Sequence, residues 1–197
     1  MCDSRVWKVA WPLLCMASAG GVMFTCIHMS DSKQEPYMGK IMIEHVSVKT
    51  EKPFGEVAAA FEARLGRFDP AVYEQLRSRA DPAAVRARLE GMAGPSGFML
   101  FGTNDHGALL RLAGQKRKAV QYIIGNPLFA LRMTQHDIRA ALYAPLRVLL
   151  NEDEEGKTCV EYDRPSSLFG QFRNDRITPT AVMLDRKLEA LVSASFE

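Results

Sequence analysis

The side chains best suited to chemistry in this sequence are two histidines, each adjacent to an aspartate. His106 follows Asp105, and His136 precedes Asp137. Imidazole and carboxylate groups together can bind a metal ion or transfer protons. The two pairs lie thirty residues apart, which is no diagnostic ligand spacing, and adjacent residues do not face each other. Turn and capping roles for the aspartates are therefore favoured, and neither a metal nor a cofactor is predicted.

A second candidate site is the tripeptide Gly125-Asn126-Pro127. Proline is favoured at the first position of a helix, so this tripeptide predicts the end of a strand and the start of a helix. The N–H groups at a helix start can bind a carboxylate or a phosphate, which makes a small anionic ligand one hypothesis. The alternative is that Asn126 only caps the helix. Capping is favoured because it accounts for all three residues.

Polar residues also follow the last predicted strand. Asp163 is followed by Arg164, Pro165 and the hydroxyl groups of Ser166 and Ser167. These hydroxyls either contact a ligand or cap a short helix, and capping is again favoured. Loops at strand ends are where a rigid sheet presents functional groups. The predicted ligand-binding set is therefore Asn126, His136, Asp163, Ser166, Ser167 and His106.

Composition and motifs argue against several classes of function. The net charge is +2, and the densest basic run is only Lys116-Arg117-Lys118, so nucleic-acid binding is not expected. Cys159 is the only cysteine after position 26, which predicts neither a disulfide framework nor a CxxC metal site. The sequence has no Walker loop and no GxSxG, HExxH or GxGxxG motif. Binding is therefore favoured over catalysis.

The strands that would position these residues are predicted from alternating apolar residues and β-favouring residue types. They cover residues 41–50, 98–103, 119–124, 146–151 and 158–162, and residues 108–112 are expected to continue the sheet after a turn at 104–107. Ile41 and Ile43 are out of phase with Val46 and Val48, which predicts a bulge near position 44.

The helices are predicted from apolar residues three or four positions apart. One begins at Pro53, two short ones follow around Val72 and Leu89, one or two more lie within residues 126–144, and the last covers 179–192. The resulting order is β-α-(α-α)-β-β-β-β-α. It predicts an α+β fold with a mostly antiparallel sheet covered by helices on one face.

The first 37 residues are predicted to lie outside this domain, which covers residues 38–197. Residues 9–27 carry no charge, follow two basic residues, and are long enough to cross a membrane. A signal peptide and a single membrane anchor are two interpretations, and together they favour an exported or anchored domain. The third is a true translation start at Met29 or Met38, which gives a cytoplasmic protein. Any membrane contact is expected through residues 9–27 only.

Several motifs, taken in order, resemble the family called domain of unknown function 302 (DUF302). They are residues 97–101, 105–107, 125–127, 136–137, 144–145 and 162–167. The resemblance covers roughly residues 38–192 and implies a two-layer β-α-β4-α arrangement, with residues 69–92 as an added helical segment after the first helix. The family carries no settled biochemical function, so the resemblance implies a fold and no activity.

The functional prediction is a non-catalytic domain that binds a small ligand or serves as a scaffold. Its pocket is expected between the sheet and the helical segment at 126–144. Two alternatives remain open. One is an enzyme, hydrolytic or metal-assisted, that uses His106, His136 and Asp163. The other is an interaction module that forms homodimers through a sheet edge.

Overall fold

The computed structural model describes residues 39–78 and 81–197. Its strands are β1 (His45–Thr50), β2 (Gly66–Arg67), β3 (Met99–Asp105), β4 (Ala119–Gly125), β5 (Leu146–Glu152) and β6 (Thr158–Asp163). Its α-helices are α1 (Phe54–Ala63), α2 (Ala71–Arg77), α3 (Pro82–Met92), α4 (His106–Leu110), α5 (Pro127–Thr134), α6 (Pro165–Phe169) and α7 (Thr178–Ala194). Short 3-10 helices cover Arg111–Ala113, Ile138–Tyr143 and Gly170–Phe172.

The interpretations of residues 1–37, including the apolar segment at 9–27, lie outside the described residues. Among the helices of residues 39–78 and 81–197, none combines the length and the apolar character that a membrane span requires.

The strands form one six-stranded sheet in the order β1-β6-β5-β4-β3-β2. Every pairing is antiparallel except the two-residue pairing of β2 with β3, which is parallel. The register places Val46, Tyr162, Val148 and Tyr122 side by side across four strands. This row belongs to the apolar core, in which three of the four side chains are buried.

Helices α1 and α7 pack against this face of the sheet. Phe61 of α1 lies against Tyr122, with ring centroids 5.0 Å apart, and Leu188 of α7 is fully buried in the same core. On the other face the register aligns Ser47, Glu161 and Leu149, none of which is buried. The predicted α+β class, with a mostly antiparallel sheet covered by helices, is confirmed.

The first strand is shorter than the alternation predicted. β1 begins at His45, so Ile41 and Ile43 precede the strand and are 39% and 43% exposed. The physical reason lies in its partner, because β6 ends at Asp163, opposite His45, and Pro165 then begins α6. The expected bulge near position 44 therefore does not form, since no strand remains there to pair with.

Residues 108–112 are helical instead of continuing the sheet. β3 runs on to Asp105, whose carboxylate then accepts a hydrogen bond from the N–H of Ala108 at 2.8 Å and caps α4. A good N-cap outweighs the weak strand preference of the residues that follow. Sequence reasoning also did not predict β2, which has only two residues.

Candidate functional site

A cavity of about 210 Å³ lies beside α5, at one end of the central strands. β4 ends at Gly125 and β5 begins at Leu146, and these neighbouring strands pair at Ile124 and Leu146. The intervening segment, which contains α5, therefore leaves and re-enters the sheet at the same end. The cavity walls are mostly apolar side chains, among them Phe98, Phe129, Met133, Leu146, Phe169 and Leu184.

Asn126 lies at the cavity and is almost buried, with 8% of its surface exposed. Its side-chain oxygen accepts a hydrogen bond from the N–H of Leu128 at 2.8 Å, and its side-chain nitrogen donates to the carbonyl of Gly97 at 2.9 Å. The N–H groups of Phe129 and Ala130 both donate to the Asn126 carbonyl at 3.0 Å. The first-turn donors of α5 therefore have partners within the protein, and capping accounts for Asn126.

The two candidate histidines lie apart. His106 begins α4, at the end of β3 that is opposite to the pairing of Met99 with Gly125. Phe101 is the residue of β3 nearest to His106 that lines the cavity, and five extended residues span about 16 Å, so His106 lies well away from the cavity. His136 is exposed after the end of α5 and does not line the cavity. The structure therefore does not bring His106 and His136 together.

The aspartate beside His136 has a structural role. Asp137 caps the following 3-10 helix by accepting from the N–H of Arg139 at 3.0 Å, and it also forms an ion pair with the Arg139 guanidinium at 2.6 Å. Hydrogen bonding to this guanidinium lowers the pKa of the Asp137 carboxyl below its ordinary value. The carboxylate therefore stays charged and bound to Arg139.

Asp163 lies at the end of the sheet where β6 leads into α6. One of its carboxylate oxygens lies 3.0 Å from Nδ1 of His45, and Glu161 lies 3.7 Å from Nε2 of the same ring. All three side chains are on the face of the sheet that α1 and α7 leave uncovered. The structure thus places Asp163 in a surface cluster outside the lining of the cavity.

The two candidate serines join neighbouring segments. The N–H of Ser166 donates to Asp185 of α7 at 2.8 Å. The hydroxyl of Ser167 donates to the carbonyl of Arg164 at 2.7 Å and accepts from the N–H of Glu44 at 3.0 Å. Both residues are close to the cavity end of the sheet, but neither contributes to the cavity lining.

The described residues offer little for metal binding or nucleophilic catalysis. Within residues 39–78 and 81–197, no group of three or more His, Cys, Asp or Glu side chains is arranged to hold a metal ion. Cys159 is buried, and burial raises the pKa of its thiol, which keeps it in the less reactive protonated form.

Sequence reasoning missed most of the residues that line the cavity. Four of them are phenylalanines at positions 98, 101, 129 and 169, which have the residue type and spacing of ordinary core. Tyr73 of α2 also lines the cavity, although it is about fifty residues away from Asn126 in the chain. The one usable signal was the Gly125-Asn126-Pro127 junction, which marked the correct end of the sheet.

These features define a small α+β domain with an apolar cavity at one end of a mostly antiparallel sheet. The family model described as "Domain of unknown function DUF302" matches residues 74–195, more than half of the chain. The protein therefore belongs to the DUF302 family. The family match begins within α2, so β1, α1 and β2 precede it.

One similar solved structure is the crystal structure of the uncharacterized conserved protein DUF302 from Bacillus stearothermophilus. It is 16% identical in sequence, covers 77% of this chain and 97% of its own chain, and superposes with a TM-score of 0.54. At this identity the likeness shows the fold alone. No curated protein matches the chain significantly.

Proposed function

We propose that this DUF302 domain binds a small, mostly apolar molecule in the cavity beside α5. The observation that carries the proposal is the cavity itself, about 210 Å³ in volume and lined almost entirely by apolar side chains. Concave apolar sites with few polar groups are the usual form of small-molecule binding sites in proteins. A binding role also fits the scarcity of reactive groups around the cavity.

The cavity volume limits the size of the ligand. An engineered cavity of about 150 Å³, lined by Leu, Ile and Phe, stays free of water and takes up benzene. The present cavity is somewhat larger, so it has room for one or two aromatic rings or for a short branched chain. The four phenylalanines favour the aromatic ligand, because ring pairs gain energy beyond the burial of their surface.

An anionic ligand has less support from the geometry. The cavity lining contains no Lys, Arg or His among the described residues. The N–H groups at the start of α5 are already bonded to Asn126. A carboxylate placed there would lose its hydration without gaining a partner, which is costly.

A catalytic role for His106, His136 and Asp163 is also less supported than binding. His106 lies at the far end of β3, and Asp163 is bound to His45 on the uncovered face of the sheet. Acid–base catalysis requires groups within hydrogen-bond reach of the same bound molecule. These three side chains do not share a cavity.

The experiment is an NMR titration of isotope-labelled protein with toluene. We expect saturable shifts of the backbone amide signals of Phe129, Ala130 and Met133. The variant Ala130→Leu places a larger side chain at the cavity wall and should abolish the saturable shifts. The matched control Ala59→Leu lies on the exposed side of α1 and should bind as the unmodified protein does. If toluene causes no saturable shift up to its solubility, the proposal is wrong.

A further inference from the structure

Two of the residues that line the cavity have polar side chains, and they differ in how fully those side chains are bonded within the protein. Only Tyr73 and Asn126 among the lining residues have polar side-chain atoms. The side-chain oxygen of Asn126 accepts from the N–H of Leu128, its side-chain nitrogen donates one of its two hydrogens to the Gly97 carbonyl, and the residue is almost buried. The Tyr73 hydroxyl has no hydrogen-bond partner among the residues that the structure describes, and the residue is 44% exposed. The polar contact that orients a ligand is therefore expected at Tyr73.

The Tyr73 ring is held in place by other aromatic residues. Its centroid lies 5.4 Å from that of Phe68, and Phe68 stacks on Phe101 with centroids 4.2 Å apart. Phe101 itself lines the cavity. The adjacent residue, Val72, is fully buried against Val85 and Leu89 of α3, which fixes α2 on the domain. The Tyr73 ring is thus packed against Phe68, on a helix that Val72 holds against α3.

We infer that the ligand is an uncharged molecule with an apolar body and a single hydrogen-bonding group, such as an alcohol, a phenol or a carbonyl. Tyr73 is the residue that selects for this group, because its hydroxyl both donates and accepts hydrogen bonds. A charged group would find no opposite charge among the lining residues. The inference rests on the proposed function and adds the chemical class of the ligand.

Two probes that differ by one hydroxyl group test this inference. They are toluene and p-cresol, and their dissociation constants are measured by NMR titration for three proteins: the unmodified chain, Tyr73→Phe and Tyr143→Phe. Tyr143 is the matched control, because its hydroxyl bonds to Gln171 at 3.3 Å and it does not line the cavity. Circular dichroism of each variant checks that the fold is retained.

In Tyr73→Phe, the dissociation constant of p-cresol is expected to rise about fivefold, the typical effect of one lost hydrogen bond. The constant for toluene should stay unchanged, and Tyr143→Phe should bind both probes as the unmodified chain does. If Tyr73→Phe raises the dissociation constants of both probes equally, or of neither, Tyr73 does not bind the polar group. The inference is then overturned while the proposed function stands. If the unmodified chain binds neither probe, both fail.

Discussion

Asn126 joins two segments through one side chain. It caps α5 through Leu128 and holds the loop before β3 through the carbonyl of Gly97. We predict that Asn126→Ala lowers the free energy of unfolding by about 2 kcal/mol, because a lost cap typically costs about 1 and the partly buried Gly97 carbonyl is left unpaired. Urea denaturation measures the effect. Asn104→Ala, at an exposed position of β3, is the control, and an equal loss of stability in both variants would contradict the role of Asn126.

Leu188 tests the packing of the final helix. Its side chain is completely buried between α7 and the sheet. Leu188→Ala is expected to lower the free energy of unfolding by about 2–5 kcal/mol, through lost burial and the cavity left behind. The same substitution at Leu142, which is 80% exposed, should change it by less than about 0.5 kcal/mol. An unchanged denaturation midpoint for Leu188→Ala would mean that α7 is not docked as described.

The turn that connects β5 and β6 is held together by the carboxylate of Asp153. Its carboxylate accepts from the Lys49 ammonium at 2.8 Å and from the N–H groups of Glu155 and Lys157 at 3.0 and 2.9 Å. The bond from Lys49, followed by that from the Lys157 N–H, lowers the pKa of the Asp153 carboxyl from 3.8 to about 2. The charged form therefore stabilises the folded state above pH 3.8, and this contribution disappears as the pH falls towards 2.

The corresponding prediction concerns Asp153→Asn. The amide keeps an oxygen for the backbone N–H groups but loses the charge that binds Lys49, so stability at pH 7 should fall. Stability should also decline less steeply between pH 5 and pH 2 than it does in the unmodified protein, where Asp153 itself takes up a proton. Urea denaturation across this pH range measures both effects. Glu154→Gln in the same turn is the control, and identical acid profiles for Asp153→Asn and the unmodified chain would refute the assignment.

The elements predicted well from sequence are those whose local pattern and tertiary packing agree. Residues 119–124 alternate as a strand must, and α7 buries Leu184 and Leu188 on one stripe as expected. The predictions failed where a pairing strand or a helix cap determined the secondary structure. Ile41 and Ile43 have strand character but no strand to pair with, and the cap formed by Asp105 turned residues 108–112 into a helix.

The candidate site was predictable only at its polar end. The Gly125-Asn126-Pro127 tripeptide indicates a strand-to-helix junction because proline and a capping side chain have positional preferences. Phe98 and Phe129 carry no such signal, because a phenylalanine that lines a cavity and one that fills a core have the same sequence pattern. Only the three-dimensional packing separates them, and it also brings Tyr73 of α2 to the cavity.

Across the whole molecule, the core that the structure describes is built from residues well after Met38. The two hydrophobic clusters draw their members from positions 46–196, and residues 39–197 form one compact unit. We predict that a chain starting at Met38 is soluble and unfolds cooperatively, since it keeps every core residue that the structure describes. Differential scanning calorimetry measures this. Aggregation, or a melt without a cooperative transition, would show that residues 1–37 are needed for folding.

The proposed apolar binding site beside α5 can be probed with a crystal structure determined under xenon pressure. Xenon enters apolar cavities that exclude water and is located by its anomalous scattering. We expect a xenon peak within the space bounded by Phe98, Phe129 and Leu184. A cavity filled instead by ordered waters hydrogen-bonded to the protein, with no xenon peak, would contradict it.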